Sequence, residues 1–148
     1  MEMTGEQLVP LPQAATWKAL NDPDVLKDCI PGCEMITRVS DNEYDLVMTA
    51  KVGPVSAKFK GRMTVTDSDP PNAYTLKFEG QGGVAGFAKG EASVKLIPQD
   101  PGTRLAYAAK ANVGGKLAQV GARLIDGVAR QIAEKFFEAF NKRASKKP

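Results

Sequence analysis

Apolar and polar positions change their period along this chain, and the changes divide it into elements. The longest periodic run comes last. From Gly114 to about Arg143, residues Leu117, Val120, Leu124, Val128, Ile132 and Phe136 recur at helical spacing with no proline among them. The pattern predicts one helix of about 25 to 29 residues, roughly 40 Å long at 1.5 Å per residue. Such a helix exceeds ordinary length and needs a long apolar surface to lie on.

The chain before it reads mainly with period two. Glu6 to Leu11 fits a short edge strand, because Pro10 and Pro12 are tolerated at an edge and not in a central ladder; Met1 to Gly5 would fray. A helix then runs from Pro12 through Trp17 and Leu20. Asn21-Asp22-Pro23 stops it and starts a second, with Asp22 as N-cap, Pro23 in the first turn and Val25, Leu26 and Ile30 on its apolar side, until Pro31-Gly32. Strands follow at Cys33 to Val39, Tyr44 to Val52, Val55 to Thr66, from Tyr74 through Leu76 and Phe78, Phe87 to Ile97, and Thr103 to Val113. In the third of these, Val55, Ala57, Phe59, Gly61, Met63 and Val65 share one face, while Lys58, Lys60 and Arg62 share the other. One dry face and one wet face is the signature of a sheet packed on a single side.

These elements predict an α+β fold: a curved, seven-stranded antiparallel sheet, two short helices after the first strand, and the long C-terminal helix as the cover for the apolar face. Residues 1–143 would form a single domain, and 144–148 a flexible basic tail. Where the sheet curls away from the helix, the two layers leave room for a wedge-shaped cavity. Candidates for its wall are Trp17, Phe59, Met63, Phe78, Phe87, Tyr107, Leu117, Leu124, Val128 and Ile132. Trp17 also reads as the anchor of the first helix on the sheet. Gly80 to Gly86, with four glycines, reads either as a sheet bend or as a flexible rim of a cavity entrance; it has neither the Lys-Ser/Thr of a phosphate loop nor the dinucleotide pattern. Gly121 and Gly127 lower helix stability, and close approach to a strand is the expected return.

Composition narrows the chemistry. There is no histidine, which removes the commonest general base at neutral pH, any Ser-His-Asp or Cys-His pair and the usual zinc ligand set. Cys29 and Cys33 have neither the redox C-x-x-C spacing nor partner ligands for a cluster, so they read as structural thiols; a contact with a partner's metal and a disulfide are the alternatives. Asp41, Asp67, Asp69 and Asp100 fall in turns and form no acid–base pair. No catalytic residue, metal site or intrinsic cofactor is expected. No stretch approaches the roughly 20 apolar residues of a membrane span, and no secretory signal opens the chain, so a cytoplasmic protein is expected.

Charge is concentrated near the C-terminus. From Arg130 onward there are six basic and two acidic residues, against a net charge of +3 for the whole chain. Nucleic-acid binding normally uses a broader positive surface and stacking groups, and is not expected. On a regular helix with the Leu124–Phe136 row turned inward, Phe137 falls near Arg130 and Asp126 on the wet side. Phe136 is then expected in the core. Phe137, with Phe140, Lys142 and Arg143, would form a sticky, basic end facing a second copy, a partner or a membrane. A local distortion that buries both aromatics is the alternative.

Several short motifs occur together and in order: Asp22-Pro23-x-x-Leu26, Ile30-Pro31-Gly32, Val52-Gly53-Pro54-Val55, Phe59-x-Gly61, Gly86-Phe87-Ala88-x-Gly90, Gly114-Gly115-Lys116-Leu117-Ala118-Gln119-x-Gly121 and Phe136-Phe137. The combination, over about residues 5 to 140, resembles the CoxG family of carbon monoxide dehydrogenase subunits, within the START-like (SRPBCC) group of polyketide cyclases and lipid carriers. The resemblance implies a helix-grip fold and an enclosed space for a hydrophobic ligand, with a lipid or quinone as cargo. It also implies service to a CO dehydrogenase or related molybdenum hydroxylase, in maturation, membrane recruitment or electron-acceptor coupling. A peripheral position on the inner face of the cytoplasmic membrane would follow. The alternatives are a small cyclase, isomerase or hydrolase acting on an apolar substrate, and a pure assembly factor.

Overall fold

The computed structural model describes residues 1–145. Strand β1 (Glu2–Val9) is followed by helices α1 (Gln13–Leu20) and α2 (Pro23–Cys29), then by β2 (Cys33–Ser40), β3 (Glu43–Val52), β4 (Val55–Asp69), β5 (Ala73–Gln81), β6 (Phe87–Gln99) and β7 (Gly102–Gly114), and by helices α3 (Lys116–Gln119) and α4 (Ala122–Ser145). The seven strands form one antiparallel sheet in the order β1-β7-β6-β5-β4-β3-β2, so only β1 is displaced from sequence order. The expected architecture is present.

The N-terminus is more ordered than expected. Glu2 pairs with Lys110 and Val9 with Thr103, so β1 lies along β7 from its second residue. Beyond it, the Met1 ammonium donates to the Ala111 carbonyl at 3.0 Å. The segment is held by its ladder to β7 and by this terminal bond, although β1 is an edge strand with its other side unpaired. At α2, Asp22 accepts from the Asp24 N–H at 2.9 Å and Pro23 occupies the first turn, as the sequence requires. Thr16 and Thr103 are buried at the α1 entrance, where the Thr103 hydroxyl donates to the Leu11 carbonyl at 2.7 Å.

The long C-terminal run is two helices rather than one. Gly121 adopts φ +98°, in the left-handed region, and separates α3 from α4. A Cβ at Gly121 or at Gly127 would meet nothing within 4 Å, so neither glycine serves a close approach to a strand. Helix α4 continues through Ala144 and Ser145, where the sequence suggests a flexible tail; residues 146–148 lie outside the described residues.

Register assigns the two faces of the sheet. Tyr44, Met63, Phe78, Gly90 and Ala111 form one cross-strand row on the concave side, and Glu43, Thr64, Lys77, Glu91, Lys110 and Glu2 form the adjacent row on the other. The main core lies under the concave face at one end. It contains Val9, Leu20, Leu26, Tyr44, Met63, Val65, Tyr74, Val94, Leu96, Leu105, Phe137 and Phe140.

Candidate functional site: an apolar cleft between sheet and helix

The concave face has two ends that differ in side-chain size. At the packed end, Met63, Val65, Tyr74, Val94, Leu96 and Leu105 are buried. Further along the same strands and on the same face stand Gly61, Gly80, Ala88, Gly90, Ala92, Ala109 and Ala111, all partly exposed. On the sheet-facing side of its first half, α4 carries Ile125, Ala129, Ile132 and Ala133, also partly exposed. The closest backbone neighbours of α4 are α2, β1 and β3. The middle of the sheet therefore lies farther from the α4 backbone than its edges do, and its short side chains stay partly exposed. Apolar walls with few polar groups are the usual composition of a small-molecule site.

Phe59, Phe78 and Tyr107 project from β4, β5 and β7 on this face and are half-buried. On α4, Ile132 lies at the edge of the inward face and Val128 nearer the Leu124 side; both are half-buried. The Tyr107 ring stacks on Phe137 with centroids 5.5 Å apart, at the boundary between cleft and core. Burial, then the nearby Glu134 carboxylate, pushes its phenol pKa up, so the hydroxyl remains a neutral hydrogen-bonding group.

Other candidate wall residues lie elsewhere. Met63 is buried in the solid core, and Trp17 packs edge-on against Tyr74 at 5.1 Å, anchoring α1 to the sheet. Leu117 is buried in α3, while Leu124 is 38% exposed and covers the β3–β4 turn: a Cβ on Gly53 would lie 2.6 Å from its Cδ2. Phe87 is not a wall residue. Its register with Gly114, and its alternation with Ala88 and Gly90, put it on the outer face, 43% exposed.

The expected sticky end of α4 is overturned. Phe137 is 9% exposed and Phe140 1% exposed; both belong to the core. Phe136 packs edge-on to Phe137 at 5.0 Å and stacked with Phe140 at 5.9 Å. No distortion is needed, because α4 is continuous over these residues. At 100° per residue, the inward face is centred on Ala129, Ala133, Phe136, Phe137 and Phe140, and Leu124 falls on nearly the opposite side. Arg143 is ion-paired with Asp28 of α2, and Lys142 is exposed. Neither a membrane nor a second copy finds an apolar anchor there.

The outer face has different chemistry. A surface recess of about 750 Å³ is lined by Arg62, Lys77, Glu79, Lys89, Glu91 and Lys110 among others, with Lys110 and Glu91 3.1 Å apart. This alternation of charge suits a solvated sheet face and not an apolar ligand. Cys29 is buried and Cys33 half-buried; burial, the largest influence, pushes both thiols up in pKa. Among the described residues no group of three or more Cys, Asp or Glu is placed to hold a metal ion.

The Gly80–Gly86 segment is a built turn. The Gly82 N–H donates to the Gly86 carbonyl at 2.8 Å, and a 3-10 turn at Gly83–Ala85 buries Ala85 and leaves Val84 outside. Gly86, at φ +111°, lies against Gly114 and Gly115, where a Cβ would run into the Gly114 carbonyl. This contact explains the paired glycine motifs.

A curved seven-stranded antiparallel sheet wrapped around a long C-terminal helix defines a helix-grip, START-like protein. Solved structures share the arrangement. A conserved protein from Geobacillus kaustophilus superimposes with a TM-score of 0.91 at 31% identity, over 98% of this chain and 95% of that one. A START superfamily protein from Mycobacterium smegmatis gives 0.73 at 14% identity, over 97% and 96%. The Zhui aromatase/cyclase from a Streptomyces species gives 0.68 at 14% identity, over 97% and 93%. The chain belongs to the CoxG family of carbon monoxide dehydrogenase subunits, whose model matches residues 5–145. No curated protein matches it.

Proposed function

We propose that the protein binds an apolar molecule, a lipid or quinone, in the cleft between α4 and the middle of the sheet, without transforming it. The binding would serve a CO dehydrogenase or related molybdenum hydroxylase, in its maturation, its recruitment to the membrane or its coupling to an electron acceptor. The carrying observation is the row of glycines and alanines on the concave face, left partly exposed beneath α4. Family membership supports the partner. Native mass spectrometry and solvent extraction of the purified protein should recover a bound lipid or quinone, and decylubiquinone should bind saturably. Preparations that never carry a ligand and take up neither quinone nor phospholipid in detergent would sink the reading.

A catalytic reading has two groups to work with. Asp126 is half-buried and shares the helix sector of Ala129 and Ala133, and Tyr107 brings a neutral hydroxyl to the cleft. Turnover of an apolar substrate that is lost in both Asp126→Asn and Tyr107→Phe, with binding retained, would favour it.

A further inference from the structure

We infer that the free sheet edge at β2 pairs antiparallel with β2 of a second copy, across a twofold axis at Thr37, so that two seven-stranded sheets become one. Strand β2 is outermost, and its far side meets no other strand. Two bulges shape it. Glu34 and Met35 stand opposite Val47, and Val39 and Ser40 stand opposite Glu43, each time two residues against one. The bulged pairs, 34–35 and 39–40, lie at equal distances from Thr37, so the outline of the strand repeats when it is turned about that residue. An antiparallel partner in this register sets bulge against bulge, Thr37 beside Thr37, and Met35 beside Val39 twice. A closed twofold contact requires this self-complementarity.

The side chains of this edge suit such a partner. Arg38 turns back to the Tyr44 hydroxyl at 3.0 Å and to the Asn21 carbonyl, and Glu34 pairs with Lys58 at 3.4 Å, so both charges of the strand are engaged within their own copy. What remains outward is apolar or neutral: Met35 is 57% exposed and Val39 45%, with Thr37 exposed between them. Met35 and Thr37 also border a recess of about 410 Å³ on the outer face, with Val47 in its wall. Cross-strand contact with Val39 of the second copy would cover Met35. The other edge, β1, has Glu2 and Glu6 on its outer face; turned about Thr4, it would set like charges opposite each other.

Charge fixes the direction of the pair. The turn segments 40–43, 67–72 and 98–102 gather Asp41, Glu43, Asp67, Asp69 and Asp100 at one end of the sheet, with no Lys or Arg. The segments 51–61 and 80–90 hold Lys51, Lys58, Lys60 and Lys89 at the other end, with no Asp or Glu. Strand β2 runs from the basic end to the acidic end, so an antiparallel partner sets each acidic end beside a basic one. Asp41 of the second copy comes level with Lys58, which reaches across β3 to Glu34. A foreign strand would find the same free edge, but the outline that repeats about Thr37 and the opposed end charges are matched by this chain itself. The pairing uses the sheet edge alone, so it stands whether or not the cleft holds a ligand.

The test is sedimentation velocity of the full chain from about 10 µM to about 1 mM, because so short a paired run makes a contact at the small, transient end of specific interfaces. The wild type should move from monomer toward dimer over that range. Amide hydrogen exchange in residues 35–39 should slow at high concentration, while that in 2–9 stays as it is. Met35→Lys, counted twice across the axis, should weaken association by about tenfold or more. Leu8→Lys, at the 64% exposed position on β1, should change nothing. Asp41→Lys and Lys58→Glu should each weaken association by about two- to thirtyfold. An equal mixture of these two variants should recover it, because both contacts of the mixed pair then join opposite charges. All four side chains are exposed, and far-ultraviolet circular dichroism checks that each variant folds. The inference is overturned if the wild type stays monomeric at about 1 mM, if Leu8→Lys weakens association as Met35→Lys does, or if the mixture associates no better than either variant alone. Capture of another protein's strand on residues 35–39 by a chain that itself stays monomeric overturns it as well.

Discussion

Phe137 separates two views of the C-terminal helix, and its truncation distinguishes them by a large margin. In the structure the side chain is 9% exposed, edge-on to Phe136 and stacked on Tyr107. Phe137→Ala removes a buried phenylalanine, a change that costs about 3 to 5 kcal/mol, of which each aromatic pair contributes about 0.5 to 1.5. At about 2 to 4 °C per kcal/mol for a chain of this size, the melting temperature should fall by about 6 to 20 °C. Were the side chain on the wet face, the change would stay within about 0.5 kcal/mol. Thermal unfolding followed by far-ultraviolet circular dichroism, with a urea titration to check that the m-value is unchanged, reads the difference. A melting temperature within about 2 °C of wild type would refute the inward face centred on Ala133 and Phe140. Phe140→Ala, at a 1% exposed site, should lie at the upper end of the same range.

Gly121→Ala should destabilise by about 1 kcal/mol or more, because φ +98° is strained for any side chain, whereas Gly127→Ala, inside α4 with open space around its Cβ, should stabilise by about 0.5 to 1 kcal/mol; urea midpoints of opposite sign check the pair. Asp28→Asn breaks an exposed ion pair with Arg143 and should cost no more than about 1 kcal/mol, read as a small change in urea midpoint. Burial, with Tyr44 adding to it, holds the Tyr74 phenol pKa well above its ordinary value. Its contribution to stability is complete below about pH 10 and is lost as pH rises toward the folded value, since the unfolded chain ionises first. The urea midpoint of the wild type should therefore fall more steeply above about pH 10 than that of Tyr74→Phe, and parallel curves would show that Tyr74 is not the group responsible.

Sheet faces are legible because the sequence alternates without interruption where it matters. Lys58, Lys60 and Arg62 between Ala57, Phe59, Gly61 and Met63 fix the parity of β4, and pairing carries it to β3 and β5. Weighing hydrophobicity over parity misplaces Phe87: Gly90 opposite Phe78 sets the concave face, and Phe87 is three positions away. The helix face misleads for a geometric reason. Steps of four drift by about 40° each, so a row from Leu124 to Phe136 turns through about 120° and cannot lie on one side. The true seam alternates steps of four and three through Ala129, Ala133, Phe136 and Phe140, and its alanines carry little hydrophobic signal. The cleft is legible only as an expectation of the fold, since small residues become a site only when register aligns those of neighbouring strands.

Sheet and helix divide the work along the same axis. Phe136, Phe137 and Phe140 join the core with Met63, Tyr74, Leu96 and Leu105 at one end. Ala129 and Ala133 of the same helix face, and Gly90, Ala92, Ala109 and Ala111 of the concave sheet face, stay partly exposed toward the other. The packed end holds the helix in place, so the remaining concave residues are free to line space. Adding side chain at the two ends must then have opposite consequences. Ala109→Leu places three carbons where Ala109 is now partly exposed opposite Met3 and Ala92. In open space these carbons gain burial, worth up to roughly 2 kcal/mol at about 0.8 kcal/mol per CH₂. In a filled core the same change costs about 1 to 3 kcal/mol through overpacking. The cleft therefore predicts a urea midpoint equal to or above wild type, together with weakened uptake of decylubiquinone. A variant destabilised by about 1 kcal/mol or more, with uptake unchanged, would mean that the small residues are already covered and that any ligand sits elsewhere.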